Sequence, residues 1–212
     1  MPQNALRQYL EYLKNSGIKE LYRPESSKTI TLDKLQEKYA DCTLCPLHTG
    51  RIRFVYGEGD SDAKVMVIGE GPGEQENLSG RPFVGKAGNL LDKMLIAINL
   101  PRKDVYIANI VKCRPPGNRN PEAAERLACM PYLVEQIQIV QPKMLLIVGL
   151  VAAQSLLGNT NTLQWHRENK HEFLGIPAYV TYHPAALLRN PNWKRPAWED
   201  LQAFQKELEK LP

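Results

Sequence analysis

The sequence has no long hydrophobic run, no apolar leader and no internal repeat. Its 212 residues contain no stretch approaching the ~20 apolar positions that a membrane-spanning helix needs. The opening segment, MPQNALRQYLEYLKNSG, is broken by Gln3, Asn4, Arg7 and Glu11, so it does not read as an export signal. The expectation is a soluble, cytoplasmic protein. Without repeats or low-complexity tracts, and with 43% hydrophobic residues, the chain suits one ordinary domain with a single core. Charge of one sign is also scarce: 27 Lys and Arg stand against 23 Asp and Glu, a net of +4. That excess is compatible with a phosphate-bearing partner and identifies none.

Cysteine is scarce too, and the four present are patterned. Cys42 and Cys45 form a C-x2-C knuckle between Asp41 and Pro46, the spacing at which two thiolates can face one ion. Cys113 and Cys129 follow as a distant second pair. The pattern points to one metal or cluster site, against the plainer readings of buried thiols or two disulfides. A reducing cytoplasm favours ligands over disulfides. Spacing alone leaves zinc and iron both open. The tight C-x2-C-x2-C run of ferredoxins is missing, which counts against an electron carrier.

Leu6, Tyr9, Leu10 and Leu13 are at helical spacing and predict an amphipathic helix ending near Gly17. Thr31 reads as the N-cap of a second helix presenting Leu32, Leu35 and Tyr39. Four apolar runs then alternate with helical patterns, at 64–70 (KVMVIGE), 105–110 (VYIANI), 144–149 (MLLIVG) and 178–182 (AYVTY). They predict buried parallel strands, with crossover helices over NLLDKMLIAI, EAAERLACMPYLVEQIQIV and VAAQSLLG. Trp198, Leu201, Phe204 and Leu208 mark a closing helix. The fold class is α/β, a three-layer α/β/α sandwich around a central four-stranded parallel sheet.

In such a sheet the ligand crevice lies beyond the carboxyl ends of the strands. Those ends carry Glu70, Asn109 and His183, a carboxylate, a carboxamide and an imidazole. Each alone is more often structural; three at equivalent strand ends point to a site. The stretch from Gly80 to Ala87 superficially matches a phosphate-cradling loop, but Ala87 lacks the magnesium-binding hydroxyl and Pro82 removes a cradle N–H. Phe83 in that loop either fills core or stacks on a planar ligand. After His183, the run Pro184–Pro191 displays Leu187, Leu188 and Arg189, either buried staples or an apolar wedge beside a phosphate-holding arginine.

Four motifs carry a resemblance: Gly69-Glu70-Gly71-Pro72-Gly73 with Glu76; Gly80-Arg81-Pro82-Phe83-Val84-Gly85; Asn109-Ile110-Val111-Lys112-Cys113-Arg114-Pro115-Pro116; and His183 through Pro191. Together, in this order, they resemble family 4 uracil-DNA glycosylase, the iron-sulfur class of bacteria and archaea. The likeness runs from about Asp41 to the closing helix, leaving residues 1–38 as an N-terminal helical extension and 39–212 as the glycosylase domain. The resemblance implies a [4Fe-4S] cluster held by Cys42, Cys45, Cys113 and Cys129. It implies that Phe83 stacks on an extruded uracil, that Asn109 reads its O4 and N3 edge and that His183 lies at O2. Glu70 and Glu76 line the loop near the sugar and C5.

Physical chemistry fits this arrangement. Cleaving the N-glycosidic bond puts negative charge on O2 and positive charge on the sugar, so a donor and carboxylates at opposite ends both help. A carboxamide that accepts from N3–H and donates to O4 refuses cytosine, a contact typically worth ~1–3 kcal/mol of discrimination. Thymine is refused by sterics at C5, through Glu76 or its loop. Related glycosylases carry a water-activating Asp where this chain has Gly71, so water is left to Glu70 first, then Glu76 or Asn118. Asn77 also stands where the family often has an acid. The expected partner is uracil-containing single- or double-stranded DNA, bound by a nucleoid-associated monomer with no membrane contact. The alternatives are a noncatalytic iron-sulfur DNA-binding module and a glycosylase for other deaminated bases.

Overall fold

The structure, a computed structural model, describes residues 31–211. The helix expected over Leu6–Leu13 lies outside the described residues. The apolar runs become β2 (Val65–Gly69), β3 (Val105–Asn109), β4 (Met144–Val148) and β6 (Ile176–Thr181). The first three are buried along their whole length, because a parallel strand covered on both faces has no wet side to make polar. These four pair in parallel in the order β3-β2-β4-β6. Two antiparallel edge strands extend the expected sheet to six: β1 (Glu58–Gly59) on β3 and β5 (His171–Phe173) on β6. Each is too short for a periodic signal.

Alternation along the strands sorts the core into two layers. Met66, Ile68, Leu145 and Ile147 face α1 (Leu32–Tyr39), α4 (Ala123–Val140) and α5 (Leu150–Leu157). Val65, Val67, Leu146 and Val148 face α3 (Lys86–Ala97) and α8 (Lys194–Leu208) through Leu91, Leu95, Leu201 and Phe204. Shorter helices α2 (Glu74–Ser79), α6 (Leu163–Glu168) and α7 (Pro184–Arg189) complete the chain. Thr31 caps α1 through its hydroxyl, and Leu35 is buried in the core, so this helix spans the expected boundary at residue 38 and packs on the domain.

The chain leaves β2 for β3 on one side and later supplies β4 on the other, so the strand order reverses at β2. Parallel register puts Gly69 level with Asn109 and Val148 level with Thr181. The crevice of this fold class opens at that reversal, beyond the carboxyl ends.

Candidate active site

Gly69 forms the floor. A methyl group added there would meet Phe83 Cζ at 2.5 Å and Asn109 Oδ1 at 2.6 Å, so the ring and the carboxamide both lie against a bare backbone carbon. Asn109 is 1% exposed, and its Oδ1 is buried without a hydrogen-bond partner. A buried acceptor left unmade is costly, and such atoms cluster where a ligand supplies the partner.

Phe83 sits at φ +50°, a left-handed backbone that non-glycine residues adopt only when their surroundings impose it. Both sides are pinned. Glu76 accepts from the N–H groups of Gly73, Val84 and Gly85 at 3.0, 2.8 and 2.9 Å, tying the loop after β2 to the loop after α2. Arg102 donates to the carbonyls of Pro82 and Phe83 at 2.6 and 3.1 Å and is itself held by Asp92. Gly88 allows the approach, since a Cβ there would strike Phe83 O. Arg102 and Gly88 were missed in the sequence, and Gly69 stood there in a motif without a role of its own; the glycines lie in view at a strand end and a helix start, whereas nothing local marks Arg102.

His183 caps α7, with Nδ1 accepting from Ala185 N–H at 3.1 Å. The proton of the neutral imidazole therefore belongs to Nε2. Burial, with Arg189 nearby, holds its pKa down at about 4 against the opposing pull of Glu76. Its ring lies 5.6 Å from that of Phe83. Gly149, at the end of β4, makes room for it: a Cβ there would come within 2.9 Å of the histidine Cβ.

The backbone carbonyl of Glu70 accepts from Val111 N–H at 3.2 Å, while its carboxylate makes no hydrogen bond or ion pair with the described residues. Desolvation raises its pKa above the ordinary carboxylate value, partly offset by Arg126. Gly71 lies against Val111 and Pro115, so the loop after β2 touches the segment after β3.

Several expectations change. Glu76 is a loop clamp, its oxygens committed to three backbone donors. Asn118 is exposed in a short turn and accepts from Arg114 Nε at 2.8 Å, so it is engaged in shaping that turn. Leu187 is 2% exposed and packed in the core, whereas Leu188 is 46% exposed and Arg189 is exposed. Of the three, only Leu188 and Arg189 face outward, on a helix rather than a loop. Asn77 is buried, accepting from Ile52 N–H and donating to Gly50 O, a pair of bonds no carboxylate could make.

All four cysteines are free, with Cys113 and Cys129 buried and Cys42 and Cys45 half-buried. Three donors reach their sulfurs: Tyr132 OH to Cys42 at 3.0 Å, Lys112 N–H to Cys129 at 3.4 Å and Arg51 Nη1 to Cys113 at 3.6 Å. Burial pushes the Cys129 thiol up to about 12. Among the described residues no three His, Cys, Asp or Glu side chains form a site for a single metal ion. No described helix is long and apolar enough to cross a membrane.

A doubly covered, mostly parallel sheet gathers a carboxamide, an imidazole and a phenyl ring at the carboxyl ends of its strands, and sequence comparison says which class the chain belongs to. The model of the "Uracil DNA glycosylase superfamily" matches residues 56–202. The chain is 39% identical over 183 residues to a "Type-4 uracil-DNA glycosylase" of Thermotoga maritima, covering 84% of this chain and 95% of that one. It is 41% identical over 185 residues to the protein of the same description from Pyrobaculum aerophilum, covering 82% and 92%. A third such protein, from Saccharolobus solfataricus, is 39% identical over 191 residues, covering 85% and 88%. The chain belongs to the uracil-DNA glycosylase superfamily and, within it, to the type-4 family.

Proposed function

We propose that this chain excises uracil from DNA, hydrolysing the bond between uracil N1 and sugar C1′ to give free uracil and an abasic site in base excision repair. The observation that carries the reading is the unpartnered, buried Oδ1 of Asn109 beside Phe83. Uracil offers the missing donor at N3–H and an acceptor at O4 for the amide nitrogen; cytosine offers the reverse. Phe83 stacks on the extruded ring, and the loop closed by Glu76 is the steric barrier to the methyl group of thymine.

As the N1–C1′ bond lengthens, its electron pair moves into the base and charge collects on O2. Nε2–H of neutral His183 donates to that oxygen and stabilises the uracil anion. The sugar becomes oxocarbenium-like, and Glu70, whose carboxylate accepts no hydrogen bond from the described residues, orients the water that adds to C1′ and takes up its proton. With Gly71 in place of a second carboxylate, water attack follows a largely dissociative cleavage. Extrusion itself costs about a few kcal/mol and is offset by Leu188 filling the gap while Arg189 meets phosphate.

The four thiols fit a [4Fe-4S] cluster. They belong to one electrostatic neighbourhood, with Cys42 and Cys45 acting on Cys113 and both Cys45 and Cys113 on Cys129. The donors from Arg51, Tyr132 and Lys112 are the N–H···S and O–H···S contacts that surround cluster sulfurs. When bound, the cluster supplies iron–sulfur bonds that cross-link the knuckle, the segment after β3 and α4. Release of uracil from a uracil-containing oligonucleotide, with none of thymine from its paired control, tests the reading.

A further inference from the structure

Between the residue that reads the base and the cysteine that follows it lies a lysine with no route to solvent. Lys112 is 0% exposed. Its Nζ donates to the backbone carbonyl of Asn109 at 3.0 Å and to Gln136 Oε1 at 2.5 Å, with the ring of Tyr56 at 5.7 Å. Gln136 is also fully buried, and its amide nitrogen donates to Tyr56 O at 2.8 Å and to Tyr106 OH at 3.1 Å. A buried ammonium is expensive to desolvate, so a structure that merely needed to fill this space would use an apolar side chain.

The carbonyl that Lys112 takes is a particular one. Edge strand β1 pairs with β3 only at Tyr106 and Ile107, stopping two residues short of Asn109. Beyond that point the end of β3 has β2 on one side, where Ile110 N–H donates to Gly69 O. Lys112 supplies the donor that the missing edge does not. Its backbone is fixed in turn, because its N–H reaches Cys129 Sγ and its carbonyl accepts from Val55 N–H at 2.9 Å.

We propose that Lys112 is a positioning residue for base recognition, locking the peptide of Asn109 so that the carboxamide meets the uracil edge in one orientation, and anchoring that lock through Gln136 and α4. The proposal rests on the assignment of Asn109 as the base reader. It holds whether Nζ carries two hydrogens or three, since two are used. Lys112 thereby links the cysteine-bearing segments to the crevice without any cysteine approaching the reaction.

The test is a double-mutant cycle on single-turnover uracil release from a single-stranded oligonucleotide, combining Lys112→Met with Asn109→Ala. The methionine keeps the length of the side chain and removes its donors, while Asn109→Ala leaves the carbonyl acceptor in place. Lys112→Met is expected to lower the rate about tenfold or more, to weaken inhibition by free uracil, and to leave DNA affinity and iron content unchanged. In the Asn109→Ala background the same change is expected to have almost no further effect, because the group it positions is gone. An equal loss in both backgrounds, or unaltered inhibition by uracil, overturns the proposal. If Lys112→Met does not fold, the cycle is run with Gln136→Met, which keeps the lysine and removes its anchor; additivity there has the same consequence. Failure of the wild-type protein to release uracil would instead remove the underlying assignment, before any variant is compared.

Discussion

The rings of Phe83 and His183 lie 5.6 Å apart and are tilted by 32°. A base sandwiched between two rings needs two stacking layers of about 3.4 Å each, more than this gap provides. In the function proposed above, uracil therefore lies on one face of Phe83 and meets His183 at its edge, which is where O2 is. Stacking and O2 recognition are thus assigned to different sides of the base.

Gly69→Ala should disable the crevice while sparing the fold. The added methyl group would fall within 2.5 Å of Phe83 and 2.6 Å of Asn109 Oδ1, on residues that are pinned elsewhere. Uracil release is expected to fall at least about a hundredfold, as in displacement of positioned groups by about 1 Å. Near-native activity would mean that neither group is held where the structure puts it.

The pH profile separates the two titrating groups. Protonation at Nδ1 would abolish the acceptor that holds the Ala185 N–H and with it the orientation of the ring, so the contribution of His183 persists above its pKa of about 4 and disappears below it. Glu70 is needed ionised, and burial has raised its pKa, so kcat/KM should begin to fall on acidification before His183 protonates. Glu70→Gln should lose most activity with DNA binding unchanged, and its residual kcat/KM should retain only the limb near 4. An unshifted acid limb in that variant would remove Glu70 from the reaction. Because the folded pKa of His183 lies below its ordinary 6.5, the unfolded chain binds more protons between the two values, and folding stability should decline as pH falls from 6.5 towards 4.

Adjacent leucines on α7 should behave oppositely. Leu187→Ala removes a 2% exposed core side chain and should destabilise the fold by about 2–4 kcal/mol. Leu188→Ala should leave the melting temperature unchanged and slow excision from duplex DNA much more than from a single strand, where there is no stack to fill. Equal effects on both substrates would mean that Leu188 is not the wedge.

Cys113→Ala should lose iron and melting temperature first and activity as a consequence, since Cys113 follows Asn109 by four residues and touches Arg51. Iron content and thermal unfolding, measured beside uracil release, check the order. A stable, iron-free variant with full activity would show that the cross-link is dispensable.

Much of this was legible in the sequence, and the exceptions have physical causes. Continuous apolar runs revealed β2, β3 and β4, because burial on both faces leaves its mark on every residue, and β6 showed through AYVTY although only part of it is buried. The edge strands are two and three residues long, and the β5–β6 turn uses Leu174 at φ +54° before Gly175 rather than the Asn-Gly pair that would have announced it. Asn109 and His183 could be found because strand ends are where this fold class binds. The duties of Glu76, Leu187 and Lys112 could not, because each depends on partners distant in the chain or on which way a side chain turns. Arg102 reaches Phe83 across nineteen residues, and no local pattern encodes that reach.

The most direct test incubates iron-replete protein with paired oligonucleotides that carry uracil or thymine at one position, followed by alkaline cleavage of abasic sites. The crevice described for Asn109, Phe83 and His183 predicts cleavage of the uracil strand, none of the thymine strand, and loss of cleavage in Asn109→Ala. An intact uracil strand after incubation with iron-replete protein would contradict the account.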